Sequence, residues 1–171
     1  MHRRRTSTGA LTAPLLLLAA CGAGTTSIAD PPVSPPTSHA THAPRRESPE
    51  HFIRRWAELE KRMENTGRTG PYLLLSQDCR ACVSLAKAVR GYYEAGGYVR
   101  WRGWTVQRIA PLSSRGALLT FKVRINSAPT EYRRTSNTDV QHLAGGPSVE
   151  LLTLKGTSAG WLMYATAEQA S

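Results

Sequence analysis

The chain has 171 residues, with 22 Lys+Arg against 12 Asp+Glu and a net charge of +10. Once a leader and a linker are set aside, about 120 residues remain, enough for one two-layer domain and too few for two. The positive balance suits anionic lipid headgroups or wall polymers; no helix carries a dense basic stripe, so nucleic acid is not an expected partner.

Arg3, Arg4 and Arg5 precede an apolar stretch, Ala10 to Ala20, dominated by Leu15 to Leu18. That is about half the ~20 residues needed to span a bilayer, the length of a signal-peptide core. Leu18-Ala19-Ala20-Cys21 closely resembles the lipobox of bacterial lipoproteins. The resemblance implies cleavage before Cys21 and a diacylglyceryl group on its thiol. The chain would then be held through that lipid at the outer face of the cytoplasmic membrane. An ordinary secretory signal, cut at an A-x-A-like site with Cys21 incidental, is the alternative. Loss of the three leader arginines takes the balance from +10 to +7.

The expected organisation is a signal peptide over 1–20, a lipidated tether over 21–47, one domain over 48–168 and a tail over 169–171. The tether carries Pro31, Pro32, Pro35, Pro36 and Pro44 and no aromatic residue. Such a composition cannot bury enough apolar surface to offset its ordering entropy. About 26 residues reach ~80 Å when fully extended, and ~30 Å on average when flexible. His39 and His42 lie here; two histidines on a tether are weak ligands, and no metal is expected.

Ser48-Pro49-Glu50 reads as a helix start: an N-cap, a proline at the first position, an acid in the first turn. Phe52, Trp56, Leu59 and Met63 then recur at helical spacing with Ile53 beside them, one apolar stripe that places Trp56 in the core. Asn65-Thr66-Gly67 stops the helix. Tyr72 to Leu75 is a short apolar run. Ser76 or Asp78 opens a second helix through Cys79, Cys82, Leu85, Ala86 and Val89, ended by Gly96-Gly97.

Beyond this point the period becomes two. Trp104 to Ala110 reads as the first strand, and Leu119, Phe121, Val123 and Ile125 alternate with polar residues in the second. Pro129 to Pro147 is a polar excursion read as an exposed loop. Val149 to Lys155 and Trp161 to Thr166 form a hairpin joined by Gly156 to Gly160. Helices followed by antiparallel strands give an α+β layer, one curved sheet with helices on its concave face.

The Trp56 helix, Thr66-Gly67-Arg68-Thr69, Cys79-x-x-Cys82 and Tyr93-Glu94-Ala95-Gly96-Gly97 lie in this order. Gly103-Trp104-Thr105-Val106 and Gly160-Trp161 follow them. The whole resembles an uncharacterised family of actinobacterial lipoproteins with a domain of unknown function. The resemblance implies a cone-like, nuclear-transport-factor-2-like α+β domain and carries no catalytic residues. Fold of this kind is a poor guide to activity.

Cys79-Arg80-Ala81-Cys82 is the one chemically suggestive motif of the domain. In an oxidising compartment the pair is expected as a structural disulfide. The alternative is an extracytoplasmic thiol–disulfide oxidoreductase with Cys79 attacking and Cys82 resolving, in which Tyr72 to Leu75 would be the strand before the motif. Zinc would need two more ligands of matching spacing. Asp139, His142 and Tyr132 are the candidate cluster for a pocket enzyme on a cone fold. Trp101, flanked by Arg100 and Arg102, is the candidate exposed ligand contact, while Trp104 is assigned to the core. With no phosphate-cradling loop, nucleophile elbow or paired carboxylate, no cofactor is expected. The reading is a lipid-anchored envelope protein that binds rather than catalyses, its partner an envelope protein, a wall polymer or a small apolar ligand in the cone.

Overall fold

The first helix begins where Ser48 and Pro49 prescribe it. The structure, a computed structural model, describes residues 46–169, and its helix α1 runs Pro49–Thr66. Ser48 Oγ accepts a hydrogen bond from the His51 amide at 3.2 Å, satisfying one of the amides the first turn leaves unpartnered. The far end closes at Gly67, φ 69°, whose amide donates to Met63 O at 2.9 Å. A Cβ there would stand 2.7 Å from Tyr93 Cγ, so both the left-handed turn and the close approach call for glycine. Phe52, Ile53, Trp56 and Met63 all face inward.

Tyr72 to Leu75 departs from the strand that a redox motif would need. It lies in α2, Gly70–Leu74, one helical turn opened by Pro71 and closed by Leu73 N donating to Thr69 O at 3.0 Å. Leu74 is 74% exposed, so the apolar run is not a buried strand. Cys79 caps α3, Arg80–Glu94, by accepting from the Cys82 amide at 3.2 Å, and its sulfur is bonded to that of Cys82.

The sheet holds three long strands that each break once. The first is β1, Gly96–Trp101, and β2, Trp104–Arg115; the second is β3, Leu118–Ser127, and β4, Thr130–Thr135. The third is β5, Gln141–Leu143, and β6, Gly146–Thr157, with β7, Gly160–Glu168, added at the edge. All pairings are antiparallel, in the orders β1-β4-β5 and β2-β3-β6-β7. The breaks fall side by side: Ala128 N donates to Gly103 O at 3.1 Å across the first pair. At the third break Gly145 has φ 67°, and a Cβ on it would meet Ser127 O at 2.6 Å. The sheet bends along this line, and α1 and α3 lie inside the bend, touching β1 on one arm and β2 or β7 on the other.

Three expectations from the sequence are corrected here. Gly96-Gly97 does not merely end α3; it begins β1. The excursion from Pro129 to Pro147 is not a loop but holds β4, which pairs with β1, and β5, which pairs with β4. On β3, Phe121, Val123 and Ile125 face the helices and meet Leu152, Leu154 and Met163 of the neighbouring strands. The final hairpin turns in Ser158-Ala159 alone, tighter than the five residues expected. The described residues belong to one compact unit, His42–Ser171. No helix among them is long and apolar enough to cross a membrane.

Candidate functional site

Between the inner face of β1-β4-β5 and the helices lies a cavity of about 370 Å³. Strand alternation supplies one wall: Val99 pairs with Tyr132 and Trp101 with Thr130. From α3 come Leu85, Val89 and Tyr92, and Tyr92 stacks on Tyr132 at 6.0 Å. Trp101 and Trp104 meet edge to face at 6.3 Å beside the bend. From α1 come Glu60 and Glu64, four residues apart and so on one helix face.

These two carboxylates set the chemistry. Glu60 is 6% exposed, and its Oε2 is buried with no hydrogen-bond partner among the described residues. Burial, with the nearby charges of Glu64 and Glu150 adding, holds its carboxyl well above the usual range. Burial raises that of Glu64 to about 7. Tyr72 lies in the same field; burial first, then both acids, pushes its phenol upward. Among the described residues, no Lys, Arg or His lines the cavity. No paired carboxylate is expected from the sequence, yet α1 brings Glu60 and Glu64 to one cavity. The signal was present: position 60 lies four residues past Trp56 and seven past Ile53, at the centre of the stripe, whereas Leu59 sits at its half-buried edge.

Asn65 fixes this wall to the helix. Its Oδ1 accepts from the Trp101 amide at 2.9 Å, and its Nδ2 donates to Trp101 O at 2.6 Å. Replacing Asn65 by alanine should cost roughly 1–3 kcal/mol, from three lost partly buried bonds to backbone, two at Trp101 and one at Lys61 O at 2.7 Å, and loosen Trp101. Urea titration and the near-ultraviolet tryptophan signal would check both; an unchanged midpoint would remove Asn65 from that role.

Trp101 is not the exposed contact expected. It is 7% exposed, faces the cavity, and its Nε1 donates to Ser127 Oγ at 3.1 Å; Trp104 is the less buried of the two. The strand period turns Arg100 outward, where it bonds Glu131 at 3.0 Å and lies over the Tyr98 ring. Arg100, Arg102 and part of Trp101 instead border a broad outer groove of about 700 Å³ shared with His142. Asp139, His142 and Tyr132 do not converge. Tyr132 faces the inner cavity, His142 borders the outer groove, and Asp139 sits in the exposed turn between β4 and β5.

The bonded sulfurs of Cys79 and Cys82 belong to residues 0% and 2% exposed, poorly placed for attack by an external thiolate. Among the described residues, no group of three or more His, Cys, Asp or Glu could hold a metal ion. Cys21, His39 and His42 lie outside the described residues.

No protein-family model and no curated protein matches the chain. Among solved structures, it is similar to the intermembrane space region of the chloroplast protein ARC6. The TM-score is 0.52 at 11% identity, over 71% of this chain and 94% of that one. An NTF-2-like protein of unknown function from Shewanella oneidensis MR-1 superposes at 0.41, with 14% identity, over 72% and 100%. An NTF2-like protein with a cystatin-like fold from Novosphingobium aromaticivorans superposes at 0.34, with 12% identity, over 71% and 89%. The ARC6 likeness shows fold alone; the other two are looser. The chain's own layout, helices held in a bent antiparallel sheet, is α+β and cone-like.

Proposed function

We propose that this chain is a lipid-anchored extracytoplasmic binding module, held through Cys21 at the outer face of the cytoplasmic membrane, whose cone takes a small, largely apolar ligand. The cavity beside Glu60 is the observation that carries the binding reading. At about 370 Å³ it falls at the small end of ligand sites, which run roughly 300–1,000 Å³ and are mostly apolar with a few placed polar groups. The leader motif and the resemblance to actinobacterial lipoproteins support the anchor. Exposed Arg108, Lys122 and Arg124 on the sheet face away from the helices suit an anionic wall polymer as a further partner. Against thiol–disulfide exchange stand the buried sulfurs and the helix, not strand, before Cys79.

A second reading, a pocket enzyme, is favoured by one observation: Glu64, at about 7, sits where a general base works best. Ser127, a hydroxyl lining the same cavity, accepts from the Trp101 indole and donates to Ala128 O.

The two halves of the proposal are tested separately. Intact-mass analysis of the membrane-extracted protein should show the diacylglyceryl adduct at Cys21, and Cys21→Ser should leave the detergent phase; an unmodified cysteine overturns the anchor. For the cavity, 2-phenylethanol should quench the fluorescence of the full-length chain. Leu85→Trp, which fills the space, should abolish the ligand-dependent change. Binding unaffected by that substitution would place the ligand elsewhere.

A further inference from the structure

We infer that the ligand of this cavity is an organic cation, a protonated amine on an apolar or aromatic body, its ammonium meeting Glu60 Oε2 and its body lying against Trp101, Trp104, Tyr92 and Tyr132. The inference rests on the binding reading above and names its ligand class. Its first support is the orphan group: Glu60 lines the cavity, and its carboxyl Oε2 is buried with no hydrogen-bond partner among the described residues, a cost that a donor brought by a ligand removes. Its second is sign. Every charge that faces Glu60 is negative: Glu64 of α1 and Glu150 of β6 act on it directly. Glu168 of β7 stands opposite Glu150. The remaining titratable groups around it are phenols, Tyr72 of α2, Tyr92 of α3 and Tyr132 of β4. Four aromatic side chains, Trp101, Trp104, Tyr92 and Tyr132, line the cavity and give the apolar or aromatic body of the ligand a surface to pack on.

Other ligand classes fit less well. An anion would meet two acids and no cationic side chain. A metal ion would lack a third ligand and face apolar walls. A neutral acceptor could accept a hydrogen bond from protonated Glu60 but would leave Glu64 and Glu150 uncompensated, whereas a cation lowers the energy of all three acids at once.

Binding is then linked to protons. At a pH where Glu60 is neutral in the empty cavity, an ammonium must displace its proton, so one proton leaves for each amine bound. Amine affinity should therefore rise roughly tenfold per pH unit below the point where Glu60 ionises by itself. A neutral ligand has no such dependence.

The test compares 2-phenylethylamine with 2-phenylethanol on the full-length chain by calorimetry between pH 5 and pH 8. The amine should bind at least roughly tenfold more tightly than the alcohol at pH 8 and show the slope; the alcohol should show none. Glu60→Gln should erase the preference for the amine over the alcohol and flatten the slope, with its thermal midpoint confirming a folded chain. Equal, pH-independent binding of the two probes, or a preference for the alcohol, overturns the cation and leaves the cavity reading standing. Retention of the amine preference in Glu60→Gln overturns the role of Glu60. Failure of both probes to bind overturns the cavity reading itself and the inference with it.

Discussion

Replacing Trp56 by alanine should destabilise the chain by roughly 3–5 kcal/mol, the range for emptying a large aromatic core site. Trp56 is 1% exposed. Its ring lies 5.6 Å from both Tyr72 and Trp104, joining α1 to α2 and to the bend of the sheet. Beyond the lost contacts, Ser76 Oγ would lose the indole donor at 2.8 Å, and Ser76 is itself 0% exposed. A buried hydroxyl stripped of its partner adds to the cost of the hole. Domains of this size hold only about 5–15 kcal/mol in total, so the variant should lie near unfolding at 37 °C. Urea titration reads the loss directly. Trp56→Phe, which keeps most of the volume but not the donor, should fall between the two. A loss below about 1 kcal/mol in the alanine variant would mean that α1 is turned differently on the sheet.

How far the sequence carried these elements depends on where their information lies. The start and stop of α1 are local: Ser48, Pro49 and Gly67 each act through their own backbone. The alternation of β3 is local too, and it placed Phe121, Val123 and Ile125 inward. The bend was not legible, because Gly103, Pro129 and Gly145 become one line only when three strands are laid side by side. For the same reason β1, β4 and β5 passed for helix end and loop. They are short, carry polar side chains on their outer face, and draw their pairing from one another across the bend. The charged neighbours Arg100 and Arg102 make Trp101 read as exposed in the sequence, yet the alternation of β1 turns it inward, opposite to Arg100. Glu60 was passed over because a reading of apolar stripes admits only apolar members. An acid at the centre of such a stripe is the departure that marked the site.

Stability should fall as pH rises from 5 to 8, the reverse of what paired surface carboxylates produce. Glu64 is raised from 4.5 to about 7 in the folded chain, so between these values the folded state binds more protons than the unfolded one. Its contribution is therefore fully present below about 4.5 and lost as pH climbs through 7. A shift of this size corresponds to roughly 3 kcal/mol. Glu60, raised by burial and by Glu64 and Glu150, acts in the same direction and carries the decline further up the scale. Glu47 has the opposite sign but a different window. Its hydrogen bonds with Arg55, at 2.7 and 2.9 Å, hold it down to about 2, so its small, solvent-screened contribution is lost only as pH falls from 4.5 toward 2. Urea midpoints at pH 5 and pH 8 measure the difference. Glu64→Gln should flatten the decline, and Glu60→Gln should raise the midpoint at pH 8, since an amide occupies the same space without a charge to bury. A midpoint that rises with pH in the parent chain would show both carboxylates ionised and compensated in the folded state, and would leave a cationic ligand no uncompensated acid to meet.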